Sequence, residues 1–183
     1  MFIQTEETPN PATLKFIPGR TVLAGATATY PSREAAANNP LAHRLFEVSG
    51  VEGVFFGEDF ISITKNDAVD WLVIKPALLG AIMDYFLRHD QVTLSEDAQT
   101  STPTYDTSDP VIAEICELLE TRIRPAVAQD GGDIQFVKFE NGIVYVSMHG
   151  ACSGCPSSTA TLKSGIENML RHYVPEVQEV CAI

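Results

Sequence analysis

The chain has 183 residues, 45% of them apolar, and a formal net charge of −12. That length holds one domain or two small ones, and no apolar run approaches the ~20 residues that a membrane-spanning helix needs. The acid excess falls as −4 over residues 1–90, −3 over 91–108 and −5 over 109–183, with no Lys/Arg cluster, which argues against nucleic acid and against an anionic membrane surface as partners.

The first residues, MFIQTEETPNPATLKF, have neither a basic start followed by an apolar stretch nor an Arg-rich amphipathic pattern. The expectation is a soluble cytoplasmic protein; a mature mitochondrial matrix protein that has lost its leader fits the same residues. Phe2–Glu6 and Thr13–Ile17 read as strands separated by Thr8-Pro9-Asn10-Pro11, where two prolines forbid a continuous ladder. Residues 20–40 carry no periodic signal and read as loop. Residues 41–48 suit a short helix. Val51–Phe56 and Phe60–Thr64 form a predicted hairpin around Gly57-Glu58-Asp59. Pro76 fits the first position of a helix running to about Arg88, with Leu79, Ile82, Met83 and Phe86 on one buried face. Trp71 reads as packing.

Residues 91–108, QVTLSEDAQTSTPTYDTS, have no Lys or Arg and few large apolar side chains. They read as a flexible acidic linker between a domain at 1–90 and a domain at 109–183. In the second domain, Asp109 can cap a helix that has Pro110 at its first position, with Ile112, Ile115, Cys116 and Leu119 along one side. A turn follows at Gln129-Asp130-Gly131-Gly132-Asp133. Ile134–Glu140 and Ile143–Met148 are predicted strands joined by Asn141-Gly142, a strong hairpin signal. Pro156 opens a helix to about Tyr173, with Leu162, Ile166, Met169 or Leu170, and Tyr173 as its apolar side. Val174–Ala182 can close the sheet. The fold class is α+β: two small domains, the second with the order helix, strand, strand, helix, strand.

Cys152 and Cys155, in Gly150-Ala151-Cys152-Ser153-Gly154-Cys155-Pro156-Ser157-Ser158, sit at the entry of that last helix. Their i, i+3 spacing lets two sulfurs point the same way. A helix N-terminus should favour the thiolate and lower the thiol pKa. Three chemistries compete. Thiol–disulfide exchange is disfavoured by a proline after the pair and by the lack of a βαβ context. Zinc needs four ligands, and this chain has neither a second Cys-x-x-Cys nor a His-x₃₋₅-His. His149 could add one nitrogen and still leave the set incomplete, and it reads better as a strand-end residue. An iron–sulfur cluster shared by two chains would take four thiolates, two from each. Cys116 reads as a buried apolar residue, Cys181 as structural or a terminal stray, His43, His89 and His172 as surface residues, and Asp130–Asp133 as a tight turn.

Residues 109–183 resemble the NifU-like C-terminal domain of the Nfu iron–sulfur carriers, through Arg124-Pro125, Asp130-Gly131-Gly132-Asp133-Ile134 and the cysteine stretch. Residues 1–90 resemble the Nfu N-terminal domain, through Thr5-Glu6-Glu7-Thr8-Pro9-Asn10-Pro11 with Leu14-Lys15-Phe16, and through Val54-Phe55-Phe56-Gly57 with Ile61-Ser62-Ile63-Thr64-Lys65. The resemblance implies a non-enzymatic scaffold or carrier. Its cargo would be a [4Fe–4S] cluster, with [2Fe–2S] the other type, bound between two protomers by Cys152 and Cys155 of each. Its implied partners are a second copy when loaded, upstream cluster-assembly proteins, and apo clients such as aconitase-like and lipoyl-synthase-like proteins.

Overall fold

The structure, a computed structural model, describes residues 2–93, 99–100, 108–153 and 156–183, with the backbone alone at 99–100 and 156–158. The chain divides into two compact units between residues 102 and 103. No helix among the described residues is long and apolar enough to cross a membrane.

In the first unit, the strands β1 (Gln4–Glu7), β2 (Thr13–Ile17), β3 (Ala28–Tyr30), β4 (Val51–Phe56), β5 (Ile61–Lys65) and β6 (Gln99–Thr100) form one sheet in the order β1-β2-β5-β4-β3-β6. Every neighbouring pair is antiparallel. Period-2 alternation sends Phe16, Val54, Phe56, Ile61 and Ile63 into the core, where helices α1 (Pro40–Phe46) and α2 (Trp71–Arg88) deliver Leu41, Leu45, Leu78 and Ile82. Asn39 caps α1 by accepting the Ala42 N–H at 3.0 Å. The indole N–H of half-buried Trp71 donates to the Pro11 carbonyl at 3.2 Å, tying the proline turn to α2.

Four expectations for this unit need correction. Residues 20–40 contain β3, too short to show a period. Helix α2 begins at Trp71 under an Asp70 cap, so Pro76 lies inside it. Its buried side is Ile74, Leu78, Ala81, Ile82, Tyr85 and Phe86, with Met83 37% exposed. The unit also holds the chain past residue 90: Val92 is buried and donates its N–H to Val22 at 2.8 Å, and Gln99–Thr100 pair with β3.

The second unit opens with α3 (Pro110–Leu118), where Asp109 accepts the Val111 N–H at 2.9 Å. The helix widens to a π turn over Leu119–Ile123 and continues as α4 (Arg124–Gln129), so helical backbone runs past Pro125 up to the acidic-glycine turn. Strands β7 (Gly132–Glu140) and β8 (Ile143–Gly150) pair antiparallel across Asn141 (φ +53°) and Gly142 (φ +79°). Helix α5 (Pro156–Tyr173) then crosses back, and β9 (Glu179–Ala182) pairs parallel to β8. Ile115, Leu119, Ile134, Val144, Val146, Ile166, Leu170 and Val180 form the core. Tyr173, expected on the apolar side of α5, is 42% exposed, and Val174 is buried in its place.

Candidate functional site

Strand β8 ends at Gly150, whose φ of +66° turns the chain into the cysteine loop. The Ser153 N–H and hydroxyl both donate to the Gly150 carbonyl, at 3.1 and 2.9 Å. The Ala151 N–H donates to the Gly131 carbonyl at 3.1 Å, and the Thr159 hydroxyl donates to the Cys152 carbonyl at 3.1 Å. The loop is therefore tied on one side to the turn before β7 and on the other to α5.

Cys152 faces inward. It is 5% exposed and belongs to the core together with Ile134, Met148 and Ile166. A Cβ on Gly132 would lie 2.5 Å from the Cys152 Sγ and 2.8 Å from the His149 carbonyl oxygen. The sulfur thus rests on bare backbone, where no side chain fits. Burial pushes the Cys152 thiol up to about 12, and Asp130 and Asp133 push the same way. The expected lowering by the helix N-terminus is overturned for this residue, because desolvation and two carboxylates oppose the thiolate. Cys155 lies outside the described residues, as does Gly154.

The turn that carries Gly132 is braced by a buried ion pair. Arg124 donates from Nε and Nη2 to the two oxygens of Asp133, at 2.8 and 3.1 Å. Its Nη1 reaches both oxygens of Glu120, at 3.0 and 2.8 Å. Asp133 also accepts the Ile134 N–H at 2.9 Å. These carboxylates raise the guanidinium pKa against the opposing effect of burial. Reading Asp130–Asp133 as a tight turn accounts for Gly131, which has φ +79°, but not for Gly132, whose φ is not positive. The second glycine serves the sulfur. The doubled glycine was the only sign of this in the sequence, and nothing local said what would approach it.

His149 pairs with Asp133 in register, and its Nε2 lies 3.2 Å from the Ser147 hydroxyl. Burial lowers its pKa against the opposing charge of Asp133. Strand alternation puts it on the opposite side of the sheet from Met148 and the core. Cys116 is buried, and its thiol is pushed up to about 11 by burial and then by Glu120. Cys181 is half-exposed opposite Tyr145, five residues before Gly150 along β8, or ~17 Å at strand rise. Among the described residues, no group of three His, Cys, Asp or Glu could hold a metal ion. The succession β8, α5, β9 is a parallel crossover, so the loop does sit in a βαβ context, contrary to one argument used against thiol–disulfide exchange.

Residues 3–89 match the family described as "Scaffold protein Nfu/NifU N terminal", and residues 115–181 match the "NifU-like domain". The chain is 50% identical over 181 residues to the "NFU1 iron-sulfur cluster scaffold homolog, mitochondrial" of Drosophila persimilis, covering 98% of this chain and 64% of that protein. It is 50% identical over 184 residues to "NifU-like protein 4, mitochondrial" of Arabidopsis thaliana, covering 98% and 65%. The Homo sapiens NFU1 scaffold homolog is 49% identical over 181 residues, covering 98% and 71%. The chain thus spans 64–71% of the length of these relatives. The solution structure of a NifU-like protein from Saccharomyces cerevisiae matches with a TM-score of 0.48 at 25% identity, covering 52% of this chain and 87% of that one.

Proposed function

The chain belongs to the Nfu family of iron–sulfur cluster scaffold proteins, and from that premise we propose that it carries a cluster as cargo and hands it to apo-proteins without catalysing a reaction. Cys152 and Cys155 are the ligands, and two chains supply the four thiolates that a [4Fe–4S] cluster takes. One observation carries this reading above the others: the likeness to iron–sulfur scaffold proteins runs over 98% of the chain at about half identity, and the cysteine pair lies inside it. The donor set fits. Two thiols per chain are half of a Cys₄ set, and a two-fold axis supplies the rest without new sequence.

In this reading the chain's own residues set the conditions. Gly150 and the Ala151–Gly131 bond fix where the loop leaves the sheet, Thr159 fixes its junction with α5, and Arg124 with Asp133 holds the turn beneath it. Hand-off proceeds by exchange, client thiolates replacing the four of the carrier. The cargo site belongs to the second unit; the first unit, which extends to Gln99–Thr100, serves client or assembly-partner contacts. The relatives are named mitochondrial, and a matrix location is proposed on that ground in preference to the cytoplasm.

Anaerobic reconstitution with iron and sulfide tests the proposal, with iron, sulfide and mass measured on one sizing-column peak. The expected species is a dimer with about four irons and four sulfides, abolished by Cys152→Ala or Cys155→Ala and unaffected by Cys116→Ala. Full loading of the Cys152→Ala/Cys155→Ala double variant would refute it. The βαβ context supports a second reading as a thiol–disulfide oxidoreductase; that protein would take up no iron and would cycle a reducible Cys152–Cys155 disulfide.

A further inference from the structure

We propose that the solvent side of α2 is a pairing surface for a second copy of this chain, the two helices running antiparallel and crossing at Gly80. The exposed residues Val73, Pro76, Gly80, Met83 and Leu87 follow one another at intervals of three and four, the spacing that keeps an apolar seam facing a partner helix. Val73 and Leu87 are 74% and 72% exposed, and Leu72 at the edge of the seam is 85% exposed. Large apolar side chains gathered in one row mark an association site, unlike single ones scattered over a surface. The middle of the seam is low. A Cβ on Gly80 would meet nothing within 4 Å beyond its own helix, and exposed Ala77 stands beside it, so another helix can come close. Asp84, the acid beside the seam, is already paired with Arg44 and Arg88 of its own chain.

The chemistry along the helix selects a second copy in that orientation. Val73 and Leu87 each lie seven residues from Gly80, so a two-fold axis at Gly80 sets Leu87 of each copy against Val73 of the other. Arg88 then falls two residues from the partner's Asp70, about 3 Å of helix rise, and the two helix dipoles oppose each other. A parallel pair would instead stack Arg88 on Arg88 and Asp84 on Asp84, with the dipoles aligned. The seam from Leu72 to Leu87 is about 22 Å long on a helix about 10 Å wide, well short of the ~800 Å² per partner that a stable complex buries. Pairing through it is therefore weak and reversible. It acts by bringing two second units onto one particle, which makes their encounter intramolecular. That consequence rests on the proposed sharing of cargo by two chains; the pairing itself stands on the first unit alone.

Sedimentation equilibrium of the full chain, kept free of iron by a chelator, tests this across the micromolar range. The mass should rise from monomer toward dimer with concentration. Leu87→Glu sets a carboxylate beside the partner's Val73 and Asp70, and it should weaken pairing at least about tenfold. Val73→Glu should do the same from the other end. Both side chains are exposed, so both variants should keep the far-UV circular dichroism of wild type. Orientation is read with a short bis-maleimide and peptide mass spectrometry. A mixture of Val73→Cys and Leu87→Cys chains should cross-link position 73 to position 87, and neither variant alone should cross-link these positions to themselves. A chain that stays monomeric throughout overturns the proposal, as does a dimer that both glutamate variants leave intact, or a cross-link from 73 to 73. Iron and sulfide uptake is read separately: a chain that pairs but takes up neither refutes the cargo reading and leaves the pairing standing, whereas uptake by a chain that never pairs without iron overturns the pairing alone.

Discussion

Asp133 is 4% exposed and receives three donors on two oxygens. Such a carboxylate is tolerable inside a protein only while its partners are present. Removing one member of a buried pair strands the other, which typically costs about 3–5 kcal/mol. Arg124→Met leaves the buried Asp133 charge without its cation and should destabilise the second unit by about 3 kcal/mol, the low end of that range because Arg124 is partly exposed; Asp133→Ala leaves Arg124 its ion pair with Glu120 and should cost less. The double replacement should cost less than the sum, because it leaves no buried Asp133 charge without its cation; only the more exposed Glu120 loses its partner. Trp71 is the only tryptophan and lies in the first unit, so the measurement is amide hydrogen exchange along β7 and β8. Equal exchange in wild type and Asp133→Ala would show that the pair does not brace the turn. The residues of this network stood out in the sequence as Arg124-Pro125 and Asp-Gly-Gly-Asp. Their pairing did not, because it spans nine positions, across α4 and the acidic-glycine turn, and no local pattern announces it. The Cys152 environment was hidden for the same reason. Its position before a helix was visible, but the burial and the two carboxylates that raise its pKa come from the turn some twenty residues upstream.

At the scale of elements, what was legible followed local rules that tertiary contacts did not contest. The β7–β8 hairpin has Asn-Gly with both residues at positive φ, as that turn demands. Pro110 opens α3 under the Asp109 cap, and Pro156 opens α5. Helix α2 defeated the same proline rule. Among its 18 residues only Lys75, Asp84 and Arg88 are charged, so apolar side chains cover both sides and periodicity cannot choose the buried one. Leu72 at 85% exposure and the buried Leu78 look alike in sequence. The true start is Asp70, which accepts the Leu72 N–H at 2.8 Å. Pro76, sixth in the helix, then deprives the Leu72 carbonyl of its i+4 donor and crowds it. Pro76→Ala should therefore stabilise the first unit by about 1 kcal/mol, below the ~3 kcal/mol of a mid-helix proline because the lost bond is at the exposed first turn. Asp70→Ala should cost about 1 kcal/mol. Urea titrations followed by Trp71 fluorescence measure both, and a destabilised Pro76→Ala would mean that the proline sets the path of the helix.

For the molecule as a whole, buried weak acids set the response to alkali. The Cys116 and Cys152 thiols are raised to about 11 and about 12, in both cases first by burial. Burial also raises the pKa of the Tyr30 and Tyr85 phenols in the first unit. In each case the folded state keeps a proton that the unfolded chain releases earlier. The unfolded thiols titrate near 8.5, so their full contribution is present below that pH. Above it the folded state binds more protons than the unfolded one, and stability falls as pH rises, by about 1.4 kcal/mol per pH unit for each thiol until its folded pKa is passed. The chain already carries a net charge of −12, so further ionisation adds like-charge repulsion in the same direction. Thermal unfolding should thus be nearly independent of pH from about 7 to 8 and fall steeply from about 9 to 12. Cys116→Ala removes one buried titrating group and leaves the proposed cargo ligands in the sequence. It lowers stability at neutral pH through the lost packing, but it should make the alkaline slope of the second unit shallower by the share of one proton. Hydrogen exchange of β7 and β8 at stepped pH reads that slope directly. A slope unchanged in Cys116→Ala would mean that this thiol ionises in place at its ordinary pH, and that the core around α3 is open to water.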